Sequence, residues 1–396
     1  MVVLAVACSD DAAAPPVTTA PSVASTTPTE RPTDGVLTIG MLLPSTGSGA
    51  ATLGAPIRDA IEVAVVDINA AGGVLGASVR LEAADEAHPG GFAQLVERGV
   101  DAIVGPASSL VALSELGSAL DAGVVVCSPT ATAIALDDYP DPDGLFFRTV
   151  PSDSLQMEAI VRRVRDTGVE SVSVAYLDDP YGRGLFDAFR RRVGASAVLS
   201  IGAQIPFSGD QEDLSGVARA VVGSGAIVVL GDADDGGRLL SALDAVIDRS
   251  DPPAVIVNDS VRTARQPIAQ LSEEMRAKLE GVAPRSRFEA VDGFFAANAV
   301  DCVNLIALAV TQAGSDRPED FHGRISVVSY GGSPCSGFAE CAQRLTEVPQ
   351  IDYAGLSGPV DLGLRGELTS AVFDVFGFEN NGSETAPSDL FVSLQR

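Results

Sequence analysis

The sequence has no tryptophan, only two histidines and only one lysine, and these shortages exclude several classes of function. A phosphate-binding loop ending in Gly-Lys-Ser or Gly-Lys-Thr is excluded, because Lys278 lies between Ala277 and Leu279. His88 and His322 are far apart in the chain, and neither stands beside a catalytic signature. A histidine-based zinc site or a Ser-His-Asp triad is therefore not expected. We expect no metal, no cofactor and no enzymatic activity.

Acidic side chains outnumber basic ones by 53 to 26, so the formal net charge of the 396-residue chain is −27. Nucleic acid is a disfavoured partner, because binding to phosphates relies on Lys and Arg that displace counterions. An anionic membrane surface is disfavoured for the same reason. The length predicts about two to three domains, with ample chain for a hydrophobic core.

The first 35 residues resemble the end of a bacterial lipoprotein signal followed by a stalk. Met1 to Ala7 is apolar, and Cys8 follows small residues in the position of a cysteine that is lipidated after cleavage. Residues 9–35 are rich in Ala, Pro, Ser and Thr, a composition typical of a flexible tether. The apolar segment is short, so we expect the true start of the signal to lie upstream. A ragged N-terminus with a chance cysteine is the alternative.

Beyond the tether the sequence lacks long apolar runs. None approaches the roughly 18 residues that span a bilayer. The longest apolar candidate for a helix, residues 294–310, is interrupted by Asn298, Asp301 and Asn304. We expect attachment to the membrane through a lipid at Cys8 and through nothing else.

Short β-branched runs alternate with segments of helical period from Val36 onward. The predicted strands are Val36–Leu43, Ser78–Ala83, Ala102–Gly105, Val124–Ser128, Ser171–Tyr176, Ala226–Gly231 and Ala254–Val257. One predicted helix carries a single apolar stripe, formed by Ile57, Ile61, Ala64, Val65 and Ile68. This alternation predicts α/β architecture with parallel sheets, and the number of units favours two lobes. We predict a crossover at 146–153, where Pro151 breaks the strand and Ser152 or Asp153 caps a helix.

Ligands of open α/β sheets bind beyond the carboxyl ends of the strands, where helix N-termini present free N–H groups. In the first half of the chain these positions hold two hydroxyl clusters, Ser108-Ser109 and Thr130-Ala131-Thr132. Such clusters can bind a carboxylate, although Ser and Thr are also the commonest helix caps. In the second half the strands are followed by Asp178, Asp179 and Tyr181, by Asp232, Asp234 and Asp235, and by Asn258 and Asp259. These acids suit an ammonium group, or they are solvated loop residues.

The stretch GAPIRDAIEVAVVDINAAGGVLG, residues 54–76, resembles the first helix and turn of the branched-chain amino-acid-binding proteins. These are type I periplasmic binding proteins that serve ABC importers. Further matches follow in the same order, namely Gly105-Pro106 with Ser108-Ser109, residues 127–132, Phe147-Arg148-Thr149, residues 181–184, Val300-Asp301 and Ala313-Gly314-Ser315. The likeness spans about residues 36–375.

This resemblance implies two Rossmann-like lobes joined by a three-stranded hinge. Lobe 1 is expected to comprise residues 36–149 and 283–357, and lobe 2 residues 150–282 and 358–396. In the family, a Ser and a Thr of lobe 1 hold the ligand carboxylate, and an acid of lobe 2 holds the ammonium group. The implied ligand-binding residues are Ser108, Ser109, Thr130, Ala131, Thr132, Tyr181, Asp232 and Asp259.

Three departures from the family pattern bear on the ligand. Leu53 stands where an aromatic residue often supports the ligand side chain, and Asp259 is one methylene shorter than the expected Glu. Asp232 replaces what is often an aromatic wall. The pocket is therefore expected to be less aromatic and more acidic than in the family. A polar or cationic amino acid, or a small amide, is as plausible a ligand as a branched-chain amino acid.

The cysteines other than Cys8 are expected to form one disulfide and two thiols. Cys335 and Cys341 are six residues apart, a spacing that suits a local disulfide outside the cytoplasm, with a metal pair as the alternative. Cys127 lies in a predicted strand and Cys302 in an apolar helix. Both are interpreted as small buried hydrophobic residues.

The sequence thus predicts a monomeric, lipid-anchored, extracytoplasmic solute-binding protein. It would capture a small amino-acid-like ligand and deliver it to an ABC permease. A sensor of the same fold that reports to a signalling partner is the alternative. A hydrolase is disfavoured, because the sequence has no Gly-x-Ser-x-Gly elbow.

Overall fold

The computed structural model describes residues 33–47, 49–286, 289–291 and 293–393. Cys8 and the predicted tether up to residue 32 lie outside the described residues. The strands are β1 (Thr38–Leu43), β2 (Arg80–Asp85), β3 (Ala102–Val104), β4 (Val125–Ser128), β5 (Phe146–Arg148), β6 (Ser171–Leu177), β7 (Ser200–Phe207), β8 (Ala226–Leu230), β9 (Ala254–Asn258), β10 (Leu279–Pro284), β11 (Ser333–Ser336), β12 (Ile351–Gly355), β13 (Gly358–Pro359), β14 (Ser370–Gly377) and β15 (Ser388–Ser393).

The helices lie largely between these strands. They are α1 (Ala55–Ala70), α2 (Gly91–Glu97), α3 (Ser109–Asp121), α4 (Asp153–Asp166), α5 (Pro180–Gly194), α6 (Ser215–Val221), α7 (Ala233–Asp244), α8 (Arg265–Gln270), α9 (Glu273–Arg276), α10 (Ala296–Ala313), α11 (Pro318–Ser329) and α12 (Gly337–Leu345). The predicted stripe of α1 is buried, as expected for a helix that packs one face on a sheet. A 3-10 helix, Asp259–Thr263, follows β9.

The two lobes have the same strand order, although no repeat is evident in the sequence. The first sheet is parallel with the order β2-β1-β3-β4-β5. The second sheet has the parallel order β7-β6-β8-β9-β10, and β14 and β15 extend it antiparallel beyond β10. Each parallel set therefore runs 2-1-3-4-5, the order in which ligands bind at the switch between the first and third strands. The α/β prediction is confirmed.

Both sheets are covered on both faces, so each lobe has two apolar cores. In the first lobe α1 and α10 cover one face, and α2 and α3 cover the other. The chain passes between the lobes three times, after β5, after β10 and after β13. The first passage has the predicted form, because β5 ends at Arg148 and Ser152 caps α4 through the N–H of Ser154 at 3.1 Å.

Helix α10 is the one helix among the described residues with the length and composition of a membrane span. Its mean hydropathy is 1.3, but 83% of it is buried inside the first lobe. It packs between α1 and α11, and Asn298, Asp301 and Asn304 all have side chains inside the protein. The helix is therefore a core element of this lobe.

Two disulfide bonds stabilise the first lobe. The predicted bond between Cys335 and Cys341 is present, with the Cα atoms 5.2 Å apart. The prediction that Cys127 and Cys302 are separate thiols is wrong, because they form the second bond at a Cα distance of 5.8 Å. Cys127 lies in β4, and Cys302 lies in α10, which packs across β3 and β4. Tertiary packing thus joins residues that are 175 positions apart.

Candidate functional site

A cavity of about 260 Å³ lies between the lobes, beyond the carboxyl ends of β4 and β9. Most of its walls are polar side chains from loops and helix starts. The lining residues are Thr130, Thr132, Tyr181, Asp259, Ser260, Arg262, Thr263, Ala283, Pro284, Ser286, Phe294 and Phe295. Four of the eight predicted ligand-binding residues are thus brought together here, namely Thr130, Thr132, Tyr181 and Asp259.

The lobe 1 wall is a loop after β4 that is held by hydroxyl groups. Ser128 Oγ donates to the carbonyl of Pro106 at 2.8 Å and accepts from the N–H of Ala131 at 3.0 Å. Thr130 Oγ1 donates to the carbonyl of Ala107 at 2.8 Å. These bonds tie the loop after β4 to the loop after β3, so the two loops form one surface.

That neighbouring loop depends on a glycine. Gly105 has a φ of +128°, and a Cβ atom there would lie 2.2 Å from the carbonyl oxygen of Leu42. Only glycine accepts both this backbone conformation and this approach. The turn at Gly105-Pro106 therefore requires glycine because the chain passes close to β1 there.

Arg148, at the end of β5, holds the loop after β4 that forms the lobe 1 wall. Its side chain is buried, and Nη1 donates to the carbonyls of Ala131 and Ala133 at 3.3 and 3.4 Å. Nη2 pairs with Asp137 at 2.7 Å. A planar guanidinium can make these three contacts at once, which makes Arg148 a positioning residue for the segment that carries Thr132.

The lobe 2 wall begins at Tyr181, in the first turn of α5. Its hydroxyl lies 3.0 Å from Ser260 Oγ and accepts from Nδ2 of Asn258 at 3.1 Å. Burial raises the pKa of Tyr181 well above its usual value, and the carboxylates of Asp259 and Asp153 add to the shift. The phenol is therefore neutral and acts as a hydrogen-bonding group.

Asp259 is the acid that faces this cavity. Its Oδ1 atom is enclosed and has no hydrogen-bond partner. Burial raises the pKa of Asp259, while hydrogen bonds from Gln156, Ser260 and Asn258 oppose the shift. An enclosed carboxylate oxygen without a partner carries a desolvation cost that a ligand donor would remove.

A second buried acid, Asp153, lies beside Asp259. Burial raises the pKa of Asp153 well above its usual value, and the Asp259 carboxylate raises it further. The Thr132 hydroxyl and the Arg148 guanidinium act in the opposite direction. The N–H of Asp153 also donates to the carbonyl of Thr132 at 2.9 Å, so this acid joins α4 to the lobe 1 wall.

Four predicted residues do not line the cavity. Ser108 caps α3 by accepting from the N–H of Val111 at 3.4 Å, and Ser109 Oγ accepts from Ala133 at 3.4 Å. Ala131 is buried behind the wall. Asp232 is exposed and caps α7 by accepting from the N–H of Asp235 at 2.8 Å. Ser108 and Asp232 are thus helix caps, and Ser109 holds a loop in place.

The N–H groups ahead of α3 are occupied by an acid that the sequence did not single out as a partner. Glu86 accepts from the N–H groups of Ala107 and Ser108 at 2.6 and 3.4 Å. Burial raises the pKa of Glu86, and these two bonds oppose the shift. The Glu86 carboxylate thus occupies the N–H groups at which the sequence predicted a ligand carboxylate.

Leu53 lies next to this cavity rather than in it. It lines a wider hollow of about 950 Å³, which shares Thr263, Phe294 and Phe295 with the smaller cavity. Arg265 and Glu289 also line this hollow. The hollow and the smaller cavity are therefore neighbours along the interlobe cleft.

The residues that sequence reasoning missed come from the 3-10 helix after β9 and from the second passage between lobes. They are Ser260, Arg262, Thr263, Ala283, Pro284, Ser286, Phe294 and Phe295. Arg262 follows Asp259 by three residues, which is one full turn of a 3-10 helix. That spacing was visible in the sequence, but the helix type was not.

The groups that line the cavity suit the binding of a small polar ligand. The lining residues contain no histidine, cysteine or lysine among the described residues. Within the same ranges, no group of three or more His, Cys, Asp and Glu is placed to hold a metal ion. The cavity has a hydroxyl donor, Thr132, on lobe 1 and a carboxylate acceptor, Asp259, on lobe 2, a pattern that complements a zwitterion.

Residues 36–250, more than half of the chain, match the family model of the periplasmic binding proteins. The chain belongs to this family. Membership of the periplasmic binding protein family places the protein outside the cytoplasm and confirms the resemblance found in the sequence.

Several relatives of this periplasmic binding protein are named as binding proteins. It is 28% identical over 374 residues to the chemotactic signal transduction system substrate-binding protein BasB of Halobacterium salinarum, covering 86% of each chain. It is 32% identical over 183 residues to the Leu/Ile/Val-binding protein BraC3 of Rhizobium johnstonii, covering 44% of this chain and 49% of that protein. The structure of LivJ from Streptococcus pneumoniae in complex with isoleucine superposes with a TM-score of 0.66 at 20% identity, covering 90% of this chain and 99% of LivJ. The last likeness confirms the two-lobed fold.

Proposed function

We propose that this protein captures a small amino-acid-like ligand between its lobes and delivers it to an ABC permease. The observation that carries the proposal is the enclosed, unpartnered Oδ1 of Asp259 in a cavity whose opposite wall presents Thr130 and Thr132. The names of BraC3 and LivJ, which refer to Leu/Ile/Val and to isoleucine, support an amino acid as the ligand.

In the proposed binding mode, the ammonium group of the ligand donates to Asp259, and Thr132 donates to its carboxylate. The Thr130 hydroxyl already donates to the Ala107 carbonyl and keeps the loop in place. The neutral Tyr181 hydroxyl, beside Asp259, adds a further polar contact. Because the ligand contacts both lobes, it stabilises the closed state over the open one. The lobes of this mechanism follow the sheets: one lobe holds β1 to β5 with β11 to β13, and the other holds β6 to β10 with β14 and β15.

The route after capture is part of the same proposal. A lipid on Cys8 would hold a monomer at the outer face of the membrane, where the closed form meets the permease. The similarity to BasB, a substrate-binding protein of a chemotactic system, favours one second candidate, a sensor that reports the ligand to a signalling partner. The two candidates share the cavity and differ in the protein that recognises the closed form.

Isothermal titration calorimetry of the protein from residue 33 onward, against all common amino acids, tests the binding proposal. We expect one or a few amino acids to bind, and Asp259→Asn to weaken that binding by about 100-fold, because a charge-assisted bond to ammonium is lost. Asp232→Asn is the matched control, since Asn caps a helix as well as Asp does. Equal binding by Asp259→Asn and wild type would refute the assignment of Asp259.

Cellular assays separate the two routes. In a deletion strain, loss of uptake of the radiolabelled ligand supports delivery to a permease. Normal uptake together with a lost behavioural or transcriptional response to the ligand supports the sensor. Cys8→Ser tests the anchor, and we expect this variant to move from the membrane fraction to the soluble fraction.

A further inference from the structure

Arg262 is a buried cation in the wall of the cavity, and two of its three guanidinium nitrogens are held by acids. Nε donates to Glu384 at 3.0 Å, and Nη2 contacts Asp374 at 3.4 Å and a second oxygen of Glu384. The side chain as a whole is 4% exposed. The third nitrogen, Nη1, is enclosed and has no hydrogen-bond partner.

Two aromatic rings fix the plane of this guanidinium. The Arg262 Cζ atom lies 5.0 Å from the ring centre of Phe294 and 4.6 Å from that of Phe376. With its rings and acids in place, the side chain has little freedom to turn Nη1 toward another partner. A preorganised donor of this kind costs little entropy when it binds an acceptor.

Asp259 and Arg262 lie on the same face of the 3-10 helix. Side chains three positions apart eclipse each other in this helix type, with about 6 Å of rise between them. Both residues line the cavity, and each has one enclosed polar atom without a partner. The protein thus presents one acceptor and one donor side by side, and the proposed binding mode uses only the acceptor.

The charge around Arg262 decides what kind of acceptor suits Nη1. Among the described residues, the ionisable groups in and behind these walls comprise more acids than bases: Asp137, Asp153, Asp259, Asp374 and Glu384 against Arg148 and Arg262. A second carboxylate on the ligand would enter a region that is already negative, and like charges repel. A cationic side chain on the ligand would be repelled by the positive charge of Arg262. A neutral acceptor has neither penalty.

We infer that the ligand carries a neutral hydrogen-bond acceptor on its side chain, an amide carbonyl, and that Arg262 Nη1 donates to it. This inference rests on the proposed function, because the ammonium and carboxylate groups of the ligand bind Asp259 and Thr132. Arg262 is therefore a specificity-determining residue that selects an amide amino acid over an aliphatic one. An aliphatic side chain leaves Nη1 enclosed and unpaired, which is the costly arrangement.

Calorimetry on the wild-type protein with leucine, asparagine and aspartate tests this inference, since the three side chains share one shape and differ in polarity and charge. Glutamine and glutamate extend the series by one methylene. We expect asparagine or glutamine to bind at least about tenfold more tightly than leucine and than its matching acid, the effect of one bond to a charged donor. Leucine or either acid binding as tightly as the better amide would overturn the inference while leaving the proposed function intact. If no amino acid binds, both fail.

Arg262→Lys is the variant test, because lysine keeps the positive charge between Asp374 and Glu384 but lacks Nη1. We expect the amide ligand to bind about tenfold more weakly and leucine to bind unchanged, so that the preference disappears. A preference that survives in a folded Arg262→Lys protein, checked by circular dichroism, would overturn the role of Arg262. If this variant does not fold, the wild-type ligand series alone decides.

Discussion

Thr149 and Asn298 bind each other through two reciprocal hydrogen bonds. Thr149 Oγ1 donates to the backbone carbonyl of Asn298 at 2.7 Å, and Asn298 Nδ2 donates to the backbone carbonyl of Thr149 at 2.8 Å. Both residues are buried. Thr149 lies on the first passage between the lobes, and Asn298 lies in the first turn of α10, just after the second. The pair thus joins two of the three interlobe connections.

Asn298→Ala is expected to lower the free energy of unfolding by about 1–3 kcal/mol, because the Thr149 carbonyl would stay buried without its donor. Urea denaturation followed by circular dichroism measures this change. Asn380→Ala, at an exposed position in a turn, is the matched control and should stay within about 0.5 kcal/mol of wild type. A loss at position 298 no larger than that of the control would show that the reciprocal pair contributes nothing.

The two disulfides are expected to differ in their contribution to stability, because they close loops of different length. The Cys127–Cys302 bond spans 175 positions, and the Cys335–Cys341 bond spans 6. Loop entropy assigns about 5 kcal/mol to the first and about 2 kcal/mol to the second, as upper values. Double Ala variants of each pair, compared by denaturation, should show the larger loss for Cys127 with Cys302.

Thiol labelling provides an independent check of the pairing. Without reductant, denatured wild-type protein from residue 33 onward should resist alkylation at these four cysteines. Mass spectrometry after trypsin digestion should find the peptides of Cys127 and Cys302 linked, and Cys335 bonded to Cys341 within one peptide. Labelling of Cys127 and Cys302 in the absence of reductant would contradict the long-range bond.

The sequence predicted most strands of the two parallel sets but not the antiparallel strands that extend the second sheet. The seven predicted strands all exist within two residues of their predicted ends, because continuous β-branched runs are typical of strands buried on both faces. Strand β7 was missed, since it is an edge strand whose residues alternate between exposed and half-buried and which tolerates Pro206. Strands β10, β14 and β15 were also missed; β14 pairs with its neighbour β15 and with β10, which lies far earlier in the chain.

From the sequence, only those site residues that follow the ends of strands could be predicted. Thr132, Tyr181 and Asp259 lie directly beyond such ends, and they line the cavity. Ser108 lies beyond one too, but its N–H group is bonded to Glu86, a contact between two loops that no local pattern reveals. Arg262 lines the cavity because it lies in a 3-10 helix, and short helices of this type have weak sequence signals.

The buried carboxyl of Asp153 is expected to make the folded state less stable as the pH rises. Burial and the Asp259 carboxylate raise the pKa of Asp153 in the folded state, so the folded protein binds this proton more tightly than the unfolded chain does. Stability is therefore lost as the pH increases from the ordinary pKa of 3.8 toward the raised value. Asp153→Asn should remove this loss, so the variant gains stability relative to wild type with increasing pH, as measured by urea denaturation between about pH 4 and 8.

Asp178→Asn is the control of opposite sign. The hydrogen bond from Arg183 lowers the pKa of the exposed Asp178, so its contribution is present above its ordinary pKa and is lost as the pH falls. The difference between this variant and wild type should therefore develop below about pH 4 and stay constant between about pH 4 and 8, unlike that of Asp153→Asn. Parallel profiles for wild type and Asp153→Asn over this range would contradict the assignment of a raised pKa to Asp153.

Arg148→Lys separates a positioning role from a merely structural one. Lysine cannot reach the Ala131 and Ala133 carbonyls and the Asp137 carboxylate together, so at least one of these partners loses its bond. We expect a loss of about 1–3 kcal/mol in the free energy of unfolding and about tenfold weaker ligand binding, because the segment that carries Thr132 becomes less ordered.

The control for this variant is Arg190→Lys, which alters an exposed ion pair with Asp187 on α5. Such a pair contributes little, so both stability and binding should stay at wild-type values. Calorimetry with the bound amino acid and denaturation are measured on the same preparations. If Arg148→Lys loses stability but binds the ligand as wild type does, Arg148 supports the fold without positioning the site. Loss of both, with Arg190→Lys unchanged, connects the buried guanidinium behind β5 to the ligand at Thr132.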